Sequence, residues 1–394
     1  MFAAYSAAIN GNRVLLLEKN EKLGKKIYIT GKGRCNLTND VSESEFIKNV
    51  VSNPKFMYGA VFALSPEKTM DFFENNGLHL KVERGNRVFP VSDKASDVTK
   101  TLQNVLIRIG VEIMLNSEVA SIIFRESSVT GVVLSEGRTI DCDSVIVCTG
   151  GVSYPLTGST GDGFKFAKSA GHSIVSPKPA LVGAELQGDD FRLLQGLTLK
   201  NVGISVFLNE KCVYDDFGEM LFTHFGVSGP IILSCSSIIN RMNVSSLILS
   251  VDLKPALESS VLDKRLLRDF TLNNAKSISG VLRLLLPQSV ISLILTRAKI
   301  KEKTKCAEIT REERCALVSV IKNLKFKMKR LRPIAEAVVT AGGVNVKEIN
   351  PKTMESKLVQ GLYFAGEVID VDCFTGGFNL QTAFSTGFVA GKNA

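Results

Sequence analysis

The 394-residue sequence lacks several features that would place it in particular classes of protein. No stretch approaches the ~18 consecutive apolar residues of a membrane-spanning helix. The N-terminus has no basic segment ahead of an apolar core, so no secretory signal is indicated. Only three histidines are present, and none of the eight cysteines forms a C-x-x-C pair. These absences argue against a metal site, so we predict none, and they favour a cytoplasmic protein with reduced thiols.

The composition is otherwise that of an ordinary globular protein. Hydrophobic residues make up 45% of the chain and charged residues 22%, which are usual fractions for such proteins. The length predicts two or three domains, and no internal repeat or low-complexity linker is visible. The net charge of +9 permits an anionic ligand without establishing that the protein binds nucleic acid.

The two ends of the chain share one pattern, and the middle differs. Both ends alternate strands, glycine-rich turns and helices, as α/β domains do. The middle is first β-rich and then helical, with a capping box at Thr310 and Glu313. "LKFKMKRLR" alternates apolar and basic residues, which predicts a half-buried strand. We therefore predict a nucleotide-binding domain from residues 1–174 and 335–394, a β-rich substrate domain from 175–255 and 323–334, and a helical insert over 256–322.

"MFAAYSAAINGNRVLLLEKN" has the pattern of the second half of a dinucleotide-binding βαβ unit. A small-residue helix is followed by a turn and a strand, Val14–Leu17, that ends at Glu18. In such units an acid at this place binds the ribose hydroxyls. The strand and glycine-rich turn that normally come first are absent. We expect the chain to start about a dozen residues late, through a mis-assigned start or a true truncation, and a protein starting at Met1 to retain nucleotide poorly.

Three glycine-rich segments carry candidate binding residues. In "GKKIYITGKGRCNLTN", Gly31 and Gly33 allow a ligand to approach the backbone closely. Cys35 lies among them, and a lone cysteine is more typical of packing than of catalysis. The basic residues of the segment, which can offset phosphate charge, are Lys25, Lys26, Lys32 and Arg34. Its short polar residues are Asn36, Thr38 and Asn39.

The other two segments each follow a predicted buried strand. The strand Ser144–Cys148 ends in Thr149-Gly150-Gly151, where small residues let a cofactor lie against the chain, and a later glycine stretch enters a helix with Asp162 as a plausible cap. In "YFAGEVIDVDCFTGGFNLQ", Gly376-Gly377 opens a small-residue helix whose N–H groups suit a ring carbonyl of a flavin. Asp370 is placed to bond a ribityl hydroxyl.

Together these segments resemble bacterial FAD-dependent oxidoreductases of the aminoacetone-oxidase type, a family that includes reductases of 3-oxo bile-acid intermediates. The resemblance rests on "LLLEKNEKLGKKIYITGKGRCNLTN", "RVFPVSDKASDV", "CTGGVSYPLTGSTGDG", "FTHFGVSGP", "AVVTAGGV" and "GLYFAGEVIDVD…TGGFNLQTAFSTG", in this order. It implies an α/β fold in which a discontinuous two-dinucleotide-binding-type FAD domain carries inserted β-barrel-like and helical domains.

The resemblance also implies which residues contact FAD. Glu18 meets the adenosine ribose, and the late glycine-rich loop holds the ribityl and ring parts. Cys373 departs from the family, whose members usually have a small or polar residue there. The implied cofactor-binding residues are Glu18, Lys25, Arg34, Cys35, Asn36, Val119, Thr149, Gly150, Gly151, Gly366, Glu367, Asp370, Gly377, Phe378, Asn379 and Leu380.

The sequence contains no nucleophile–base arrangement or catalytic carboxylate pair, as is usual where a flavin performs the hydride chemistry. Tyr154, Thr157 and His224 are the candidate polar residues on the substrate side. We expect an NADH- or NADPH-dependent reduction of a C=C bond conjugated to a ketone in a small molecule, such as a 3-oxo bile-acid or steroid-like intermediate of lipid metabolism and bile-acid catabolism.

Two alternatives remain open at this point. One is an oxidase of a small amine such as aminoacetone. The other is a non-enzymatic nucleic-acid-binding flavoprotein, supported by "KNLKFKMKRLR". We disfavour nucleic acid because Lys325, Lys327 and Lys329 are more simply the solvated face of an amphipathic strand. The sequence does not set the oligomeric state.

Overall fold

The first helix and strand of the protein lie where the sequence predicts them. The computed structural model describes residues 1–394. Its helices are α1 (Phe2–Ile9), α2 (Lys25–Ile29), α3 (Glu43–Lys48), α4 (Pro54–Ala63), α5 (Pro66–Asn75), α6 (Ala95–Arg108), α7 (Asp162–Ser169), α8 (Pro230–Ile239), α9 (Ser259–Leu272), α10 (Ile278–Leu282), α11 (Gln288–Arg297), α12 (Arg311–Lys322) and α13 (Phe378–Asn393).

The strands are short in the glycine-rich parts of the chain and long in its middle. They are β1 (Leu15–Leu17), β2 (Thr38–Asn39), β3 (Leu80–Glu83), β4 (Arg87–Pro90), β5 (Glu112–Met114), β6 (Val119–Arg125), β7 (Ser128–Leu134), β8 (Thr139–Asp141), β9 (Val145–Val147), β10 (Ile174–Ala180), β11 (Ala184–Leu186), β12 (Thr198–Leu208), β13 (Lys211–Phe222), β14 (Gly226–Ser228), β15 (Leu247–Asp252), β16 (Leu324–Leu331), β17 (Val339–Val344) and β18 (Leu362–Phe364).

The chain forms two units. Unit 1 combines Met1–Ala180 with Pro333–Ala394, and unit 2 is Leu181–Arg332. The barrel and the helices α9–α12 both belong to unit 2, and one hydrophobic core runs through them. The finer division of this part into a β-rich domain and a helical insert stays a prediction.

Unit 1 contains parallel and antiparallel sheets. β1 pairs with β5 and β9 with β18, both in parallel. β2, β4 and β3 form an antiparallel sheet, as do β6, β7 and β8, and β10 pairs with β17. Glu18 and Thr149 thus follow the carboxyl ends of parallel strands, which is where ligands bind in open α/β sheets.

The C-terminal helix α13 packs closely on α1 because both helices are rich in small residues. A Cβ at Gly391 would lie 2.1 Å from the backbone oxygen of Ala3, so only glycine fits there. Around this contact Phe2, Phe73 and Phe384 form an aromatic cluster with ring centroids 4.7 to 6.1 Å apart. The two ends of the chain are therefore joined in one core, as the shared sequence pattern predicted.

Unit 2 is built on a closed six-stranded barrel with the order β11-β14-β13-β12-β15-β16. Strand β16 is the predicted half-buried strand: Leu324, Phe326 and Met328 are buried, and the lysines between them are exposed. The predicted capping box is also present, since Thr310 and Glu313 exchange side-chain-to-backbone hydrogen bonds at the start of α12. The α/β fold with a barrel-like part and a helical part is thereby confirmed. None of the helices is both long enough and apolar enough to span a membrane.

Candidate functional site

Glu367 joins several of the sequence motifs in unit 1. Its carboxylate accepts hydrogen bonds from Lys26 Nζ (2.5 Å), Ser153 Oγ (2.8 Å) and the backbone N–H of Thr340 (2.8 Å). Lys26 Nζ also donates to Ser153 Oγ at 2.7 Å. One partly buried acid therefore joins the early basic segment, the segment after β9 and strand β17 around the loop that begins at Gly366.

The Thr149-Gly150-Gly151 turn leaves no room for larger side chains. A Cβ at Gly151 would lie 2.4 Å from Thr340 Oγ1, and Gly150 has φ +73° with Ser159 Oγ 2.8 Å from its would-be Cβ. Thr340 Oγ1 in turn accepts the backbone N–H of Ser153 at 3.1 Å. The protein itself therefore needs glycine at position 151, independently of any cofactor beside the turn.

Glu18 is held by a local hydrogen-bonded turn that contacts the second glycine stretch. Its Oε1 accepts from the backbone N–H (2.9 Å) and side-chain Nδ2 (2.7 Å) of Asn20. Asn20 Nδ2 also donates to the Thr157 carbonyl at 3.2 Å, and a Cβ at Gly158 would lie 2.5 Å from it. The candidate ribose acid therefore lies beside the Thr157–Gly158 turn.

The prediction that Asp162 caps α7 is wrong. Gly161 is the N-cap, and Asp162 is the first helical residue. Its carboxylate instead accepts from Lys19 Nζ at 2.5 Å and pairs with Lys165 at 3.2 Å. Burial acts to raise the pKa of Asp162, but the bonds from Lys19, Thr160 and Lys165 outweigh it and lower that pKa. Gly161, at φ +84°, takes the N-cap position, and the Asp162 side chain pairs with lysines instead.

The early basic segment is compact and largely satisfied by acids. Arg34 forms ion pairs with Glu83 and, at 2.6 Å, with Asp93, and its guanidinium lies 4.2 Å from the ring centre of Phe89. Cys35 is buried, which raises the pKa of its thiol to about 12. It is therefore a packed neutral thiol, as the sequence reasoning favoured for a lone cysteine.

The loop before α13 folds on its own side chains. Asn379 Nδ2 donates to the Cys373 carbonyl (2.9 Å), and its Oδ1 accepts the Cys373 N–H (2.9 Å). Gly377, at φ +97°, precedes Phe378 and lies so close to Thr38 that a Cβ would be 2.3 Å from the Thr38 oxygen. The predicted helix start is therefore present, and the early basic segment lies directly against it.

Other predicted residues of this loop have identified neighbours. The carboxylate of Asp370 accepts a hydrogen bond from Asn53 Nδ2 at 3.0 Å. Cys373, whose function the sequence does not indicate, is buried 3.3 Å from Thr382 Oγ1, and burial raises its thiol pKa to about 12. Leu380 packs in the core of unit 1 with Phe384.

Lys25 and Val119 lie at the edges of this arrangement. Lys25 Nζ is 3.3 Å from Asn20 Oδ1 and 3.2 Å from Glu21, so it is close to the Glu18 turn. Val119 opens β6 opposite Leu134 and packs against the unit 1 core. Its place among the cofactor-binding residues stays a prediction.

The candidate catalytic residues belong to different units. In unit 1, Thr157 Oγ1 donates to the Tyr154 carbonyl at 2.7 Å, and Tyr154 has φ +47° with its ring partly exposed. In unit 2, His224 lines an open cavity of about 670 Å³, with its ring 5.1 Å from that of Phe225. The catalytic role of all three stays a prediction.

The sequence reasoning missed a buried polar network behind the late loop. Gln381 accepts from Thr38 Oγ1 (2.6 Å) and donates to Thr69 Oγ1 (2.8 Å), Ser385 Oγ (3.0 Å) and the Leu64 carbonyl (3.0 Å). Gln381 is fully buried. The sequence signal that could have indicated this network is a glutamine in the small-residue helix α13.

Two buried polar atoms test whether these residues fit FAD. Asn36 Oδ1 and Thr149 Oγ1 have no hydrogen-bond partner within the protein. Buried polar atoms are nearly always bonded, so such atoms indicate a ligand or water. Both lie in segments predicted to contact the cofactor, and the first turn of α13 offers N–H groups to an acceptor. The residues present therefore fit the group.

Comparisons with known proteins agree with this geometry. Residues 1–393 match the model of the HI0933-like protein Rossmann domain. A 3-dehydro-bile acid delta(4,6)-reductase from Clostridium scindens is 30% identical over 392 residues, covering 97% of this chain and 92% of the relative. A ribosomal RNA dihydrouridine synthase from Haemophilus influenzae is 28% identical over 391 residues, covering 98% of this chain and 94% of the relative.

A solved structure shows the same fold. The chain matches 3-ketosteroid-delta4-(5alpha)-dehydrogenase from Rhodococcus jostii RHA1 with a TM-score of 0.53 and 13% identity, covering 100% of this chain and 93% of that one. The chain belongs to the HI0933-like Rossmann-domain family, which confirms the resemblance seen in the sequence. It is an FAD-dependent oxidoreductase.

Proposed function

We propose that this protein reduces a C=C bond conjugated to a ketone in a 3-oxo steroid-like or bile-acid-like molecule, with NADH or NADPH as electron donor. The observation that carries the proposal is the reductase relative from Clostridium scindens, which is similar along nearly the whole of both chains. Lipid metabolism and bile-acid catabolism are the corresponding processes. The eight cysteines are free, which supports a reducing cytoplasm as the compartment.

The names of both relatives describe one class of reaction. The first is a reductase at positions 4 and 6 of a 3-dehydro compound. The second produces dihydrouridine, which forms when the C5=C6 double bond of uridine, conjugated to the C4 carbonyl, is saturated. In each case the carbonyl polarises the double bond, so a hydride adds at the far carbon and a proton at the near one. Conjugate reduction is therefore better supported than the identity of the substrate.

In this proposal unit 1 binds and orients the cofactor. Bound FAD supplies the hydride chemistry. Glu18 would hold the adenosine ribose, and Asp370 a ribityl hydroxyl. The Thr149-Gly150-Gly151 turn and the Gly377 helix start would border the cofactor. Glu367 acts on these residues indirectly, because its bonds fix Lys26 and Ser153 beside them.

The chain must also supply a proton. Tyr154, Thr157 and His224 are the candidates. Tyr154 is the stronger one in unit 1 because its phenol is partly exposed, while the Thr157 hydroxyl is already committed to the Tyr154 carbonyl. A Tyr154→Phe variant that keeps its flavin but loses turnover would support this assignment.

A second candidate substrate is a uridine in RNA. It is favoured by the dihydrouridine-forming relative and by the exposed lysines of β16, Lys325, Lys327 and Lys329, which lie along one face of the strand. Phosphates neutralised by lysines release counterions, so RNA affinity would fall steeply with salt. A steroid-like substrate with at most one charged group would show a much weaker dependence.

The test compares substrates on one purified, flavin-loaded protein. Its absorbance spectrum establishes the flavin, and anaerobic mixing with NADH and then NADPH identifies the donor. The reduced protein is then mixed with a 3-oxo-4-ene steroid acid, a uridine-containing RNA or oxygen. In a separate reaction the oxidised protein is mixed with aminoacetone in the presence of air. We expect fast reoxidation by the enone and slow reoxidation by air. Rapid air oxidation with aminoacetone turnover would establish an oxidase. RNA binding without any turnover would establish a non-enzymatic flavoprotein.

A further inference from the structure

The cavity on unit 2 that His224 lines carries an excess of positive charge. It has a volume of about 670 Å³. Four cationic side chains and a histidine line it, against two carboxylates. Its charged lining residues are Glu185, Asp189, Arg192, Lys329, Arg330 and Arg332. With His224 neutral, the side chains of this wall carry two more positive than negative charges.

Glu185 organises this charge without neutralising it. It lies on β11 directly opposite Arg330 of β16. Its Oε1 accepts from Arg332 Nη1 at 2.8 Å, and its Oε2 lies 2.9 Å from Arg330 Nε and 3.8 Å from Lys329 Nζ. Burial acts to raise the pKa of Glu185, but hydrogen bonds from the two arginines outweigh it and lower that pKa. The carboxylate therefore stays ionised, and three cations share one negative charge.

The cations of the cavity wall differ in how they are held. Lys329 Nζ is too far from Glu185 for a hydrogen bond, so its ammonium is not committed. Arg192 is bonded through Nε to the exposed Asp189 at 3.0 Å, an arrangement that solvent weakens. The Arg332 guanidinium is fixed 4.8 Å from the ring centre of Phe225. Clustered cations repel one another, and an anion bound among them relieves that repulsion.

We propose that this cavity is a binding site for the anionic group, a carboxylate or a phosphate, of a small-molecule ligand. Arginine presents several N–H donors in a planar fork that matches both groups, and lysine adds a point charge. Arg330 and Arg332 are positioned in advance by Glu185, and Arg332 also by the Phe225 ring, so these two side chains need little ordering on binding. The group can come from an organic-acid substrate or from the 2′-phosphate of NADPH, which share this chemistry.

The site predicts a difference between paired ligands. The probes are inorganic phosphate, a 3-oxo-4-ene steroid acid with its methyl ester, and NADP⁺ with NAD⁺, titrated calorimetrically into the flavin-loaded protein. We expect inorganic phosphate to bind and one pair to show a preference for its more anionic member of at least about tenfold, as one charge-assisted hydrogen bond provides. Preference for the acid identifies the carboxylate source, and preference for NADP⁺ the phosphate source. Binding is read directly, so the result does not depend on the proposed reaction.

Matched variants separate this site from general electrostatics. Arg192→Gln/Lys329→Gln removes two charges from the cavity and leaves the Glu185 pairs with Arg330 and Arg332 intact. Lys200→Gln/Lys211→Gln removes the same charge from β12 and β13. Strands β12 and β13 each lie at least two strands from both β11 and β16 around the barrel, and charges beyond about 8 Å are largely screened at physiological salt.

We expect the cavity variant to abolish phosphate binding and the tenfold preference, and the control variant to keep both. Equal losses in the two variants, or a wild type that binds no phosphate and distinguishes neither pair, would overturn the proposal. Thermal unfolding of both variants in the absence of ligand checks that they are folded to the same degree.

Discussion

Glu367 in unit 1 and Glu185 in unit 2 both lie at the centre of a polar cluster, but the clusters differ in charge. Glu367 pairs with one cation, Lys26, and its remaining bonds come from the neutral donors of Ser153 and Thr340. Glu185 faces three cations. The first cluster is balanced by its own residues. The second retains a net positive charge beside an open cavity.

This difference in net charge distinguishes residues that stabilise the fold from residues that are available to bind a ligand. In unit 1 the conspicuous charged residues of the motifs, Lys26 and Arg34 among them, already have acidic partners inside the protein. Two neutral atoms of the motifs, Asn36 Oδ1 and Thr149 Oγ1, are buried and have no hydrogen-bond partner within the protein. Basic residues in a glycine-rich motif are therefore not by themselves phosphate ligands, whereas a surplus of cations around a single acid indicates an anion site.

The strongest test of this comparison is Glu367→Ala. The change leaves Lys26, Ser153 Oγ and the Thr340 N–H without their shared hydrogen-bond acceptor. Removing one member of a mostly buried ion pair costs about 3–5 kcal/mol. We expect that loss in the free energy of unfolding measured with urea, together with lost flavin. The control is Glu136→Ala, whose pair with Arg138 is exposed and contributes at most about 1 kcal/mol. Similar losses in the two variants would show that the Glu367 cluster is not structural.

The sequence predicts much of this arrangement because its signals are local. The strand ending at Glu18, the alternation along β16 and the capping box at Thr310 each depend on a few neighbouring residues. The segments of the candidate site could be identified for the same reason. Small residues and turns identify these segments whatever residues pack against them in the folded protein.

Other features depend on residues far apart in the chain and could not be predicted. Glycine is required at position 151 because Thr340 lies against it, 189 residues later. The buried Gln381 network joins α13 to Thr38 and Thr69. Asp162 looked like a cap because its binding partner, Lys19, is distant in sequence. Which acids and bases pair is set by tertiary packing rather than by local pattern.

Glu18→Ala tests a charged group of unit 1 whose carboxylate has no cationic partner bonded to it. The Glu18 carboxylate accepts hydrogen bonds only from Asn20. The two hydroxyls of a ribose could therefore also donate hydrogen bonds to this carboxylate. Losing two charge-assisted hydrogen bonds weakens FAD binding by about 2–4 kcal/mol with little effect on folding. Fluorescence titration of the flavin measures the affinity. An unchanged affinity would mean that Glu18 does not hold the ribose.

Glycine substitutions test close packing in the two units, and their effects have opposite signs. Gly151→Ala places a methyl group 2.4 Å from Thr340 Oγ1, and such overpacking costs about 1–3 kcal/mol. Gly280 lies within α10, where the nearest atom to a new Cβ is Ser277 Oγ at 3.4 Å. Gly280→Ala is expected to stabilise by about 0.5–1 kcal/mol through helix propensity. Urea unfolding of both variants checks this, and destabilisation by Gly280→Ala would contradict the account of space in unit 2.

The smallest predicted effect on stability concerns His172 in unit 1. Its imidazole is buried and neutral, and it forms no strong ion pair. Its Nε2 lies 2.7 Å from Ser356 Oγ, and its Nδ1 is 3.2 Å from Glu348. Burial lowers the pKa of His172, and the opposing attraction of Glu348 is weaker. The unfolded chain has a histidine pKa of about 6.5. As the pH falls below that value, the unfolded state binds a proton that the folded state does not, so stability decreases.

We therefore expect the free energy of unfolding to fall between pH 7 and pH 5.5 by at most about 1.4 kcal/mol per pH unit from this one group. His172→Gln can keep a hydrogen bond to Ser356 but cannot take up the proton, so it should flatten the profile over this range. His79→Gln, at an exposed position, is the matched control variant. If His172→Gln retains the full dependence of the unfolding free energy on pH, groups other than His172 determine stability in this range. The prediction that neutral His172 causes the loss of stability would then be wrong.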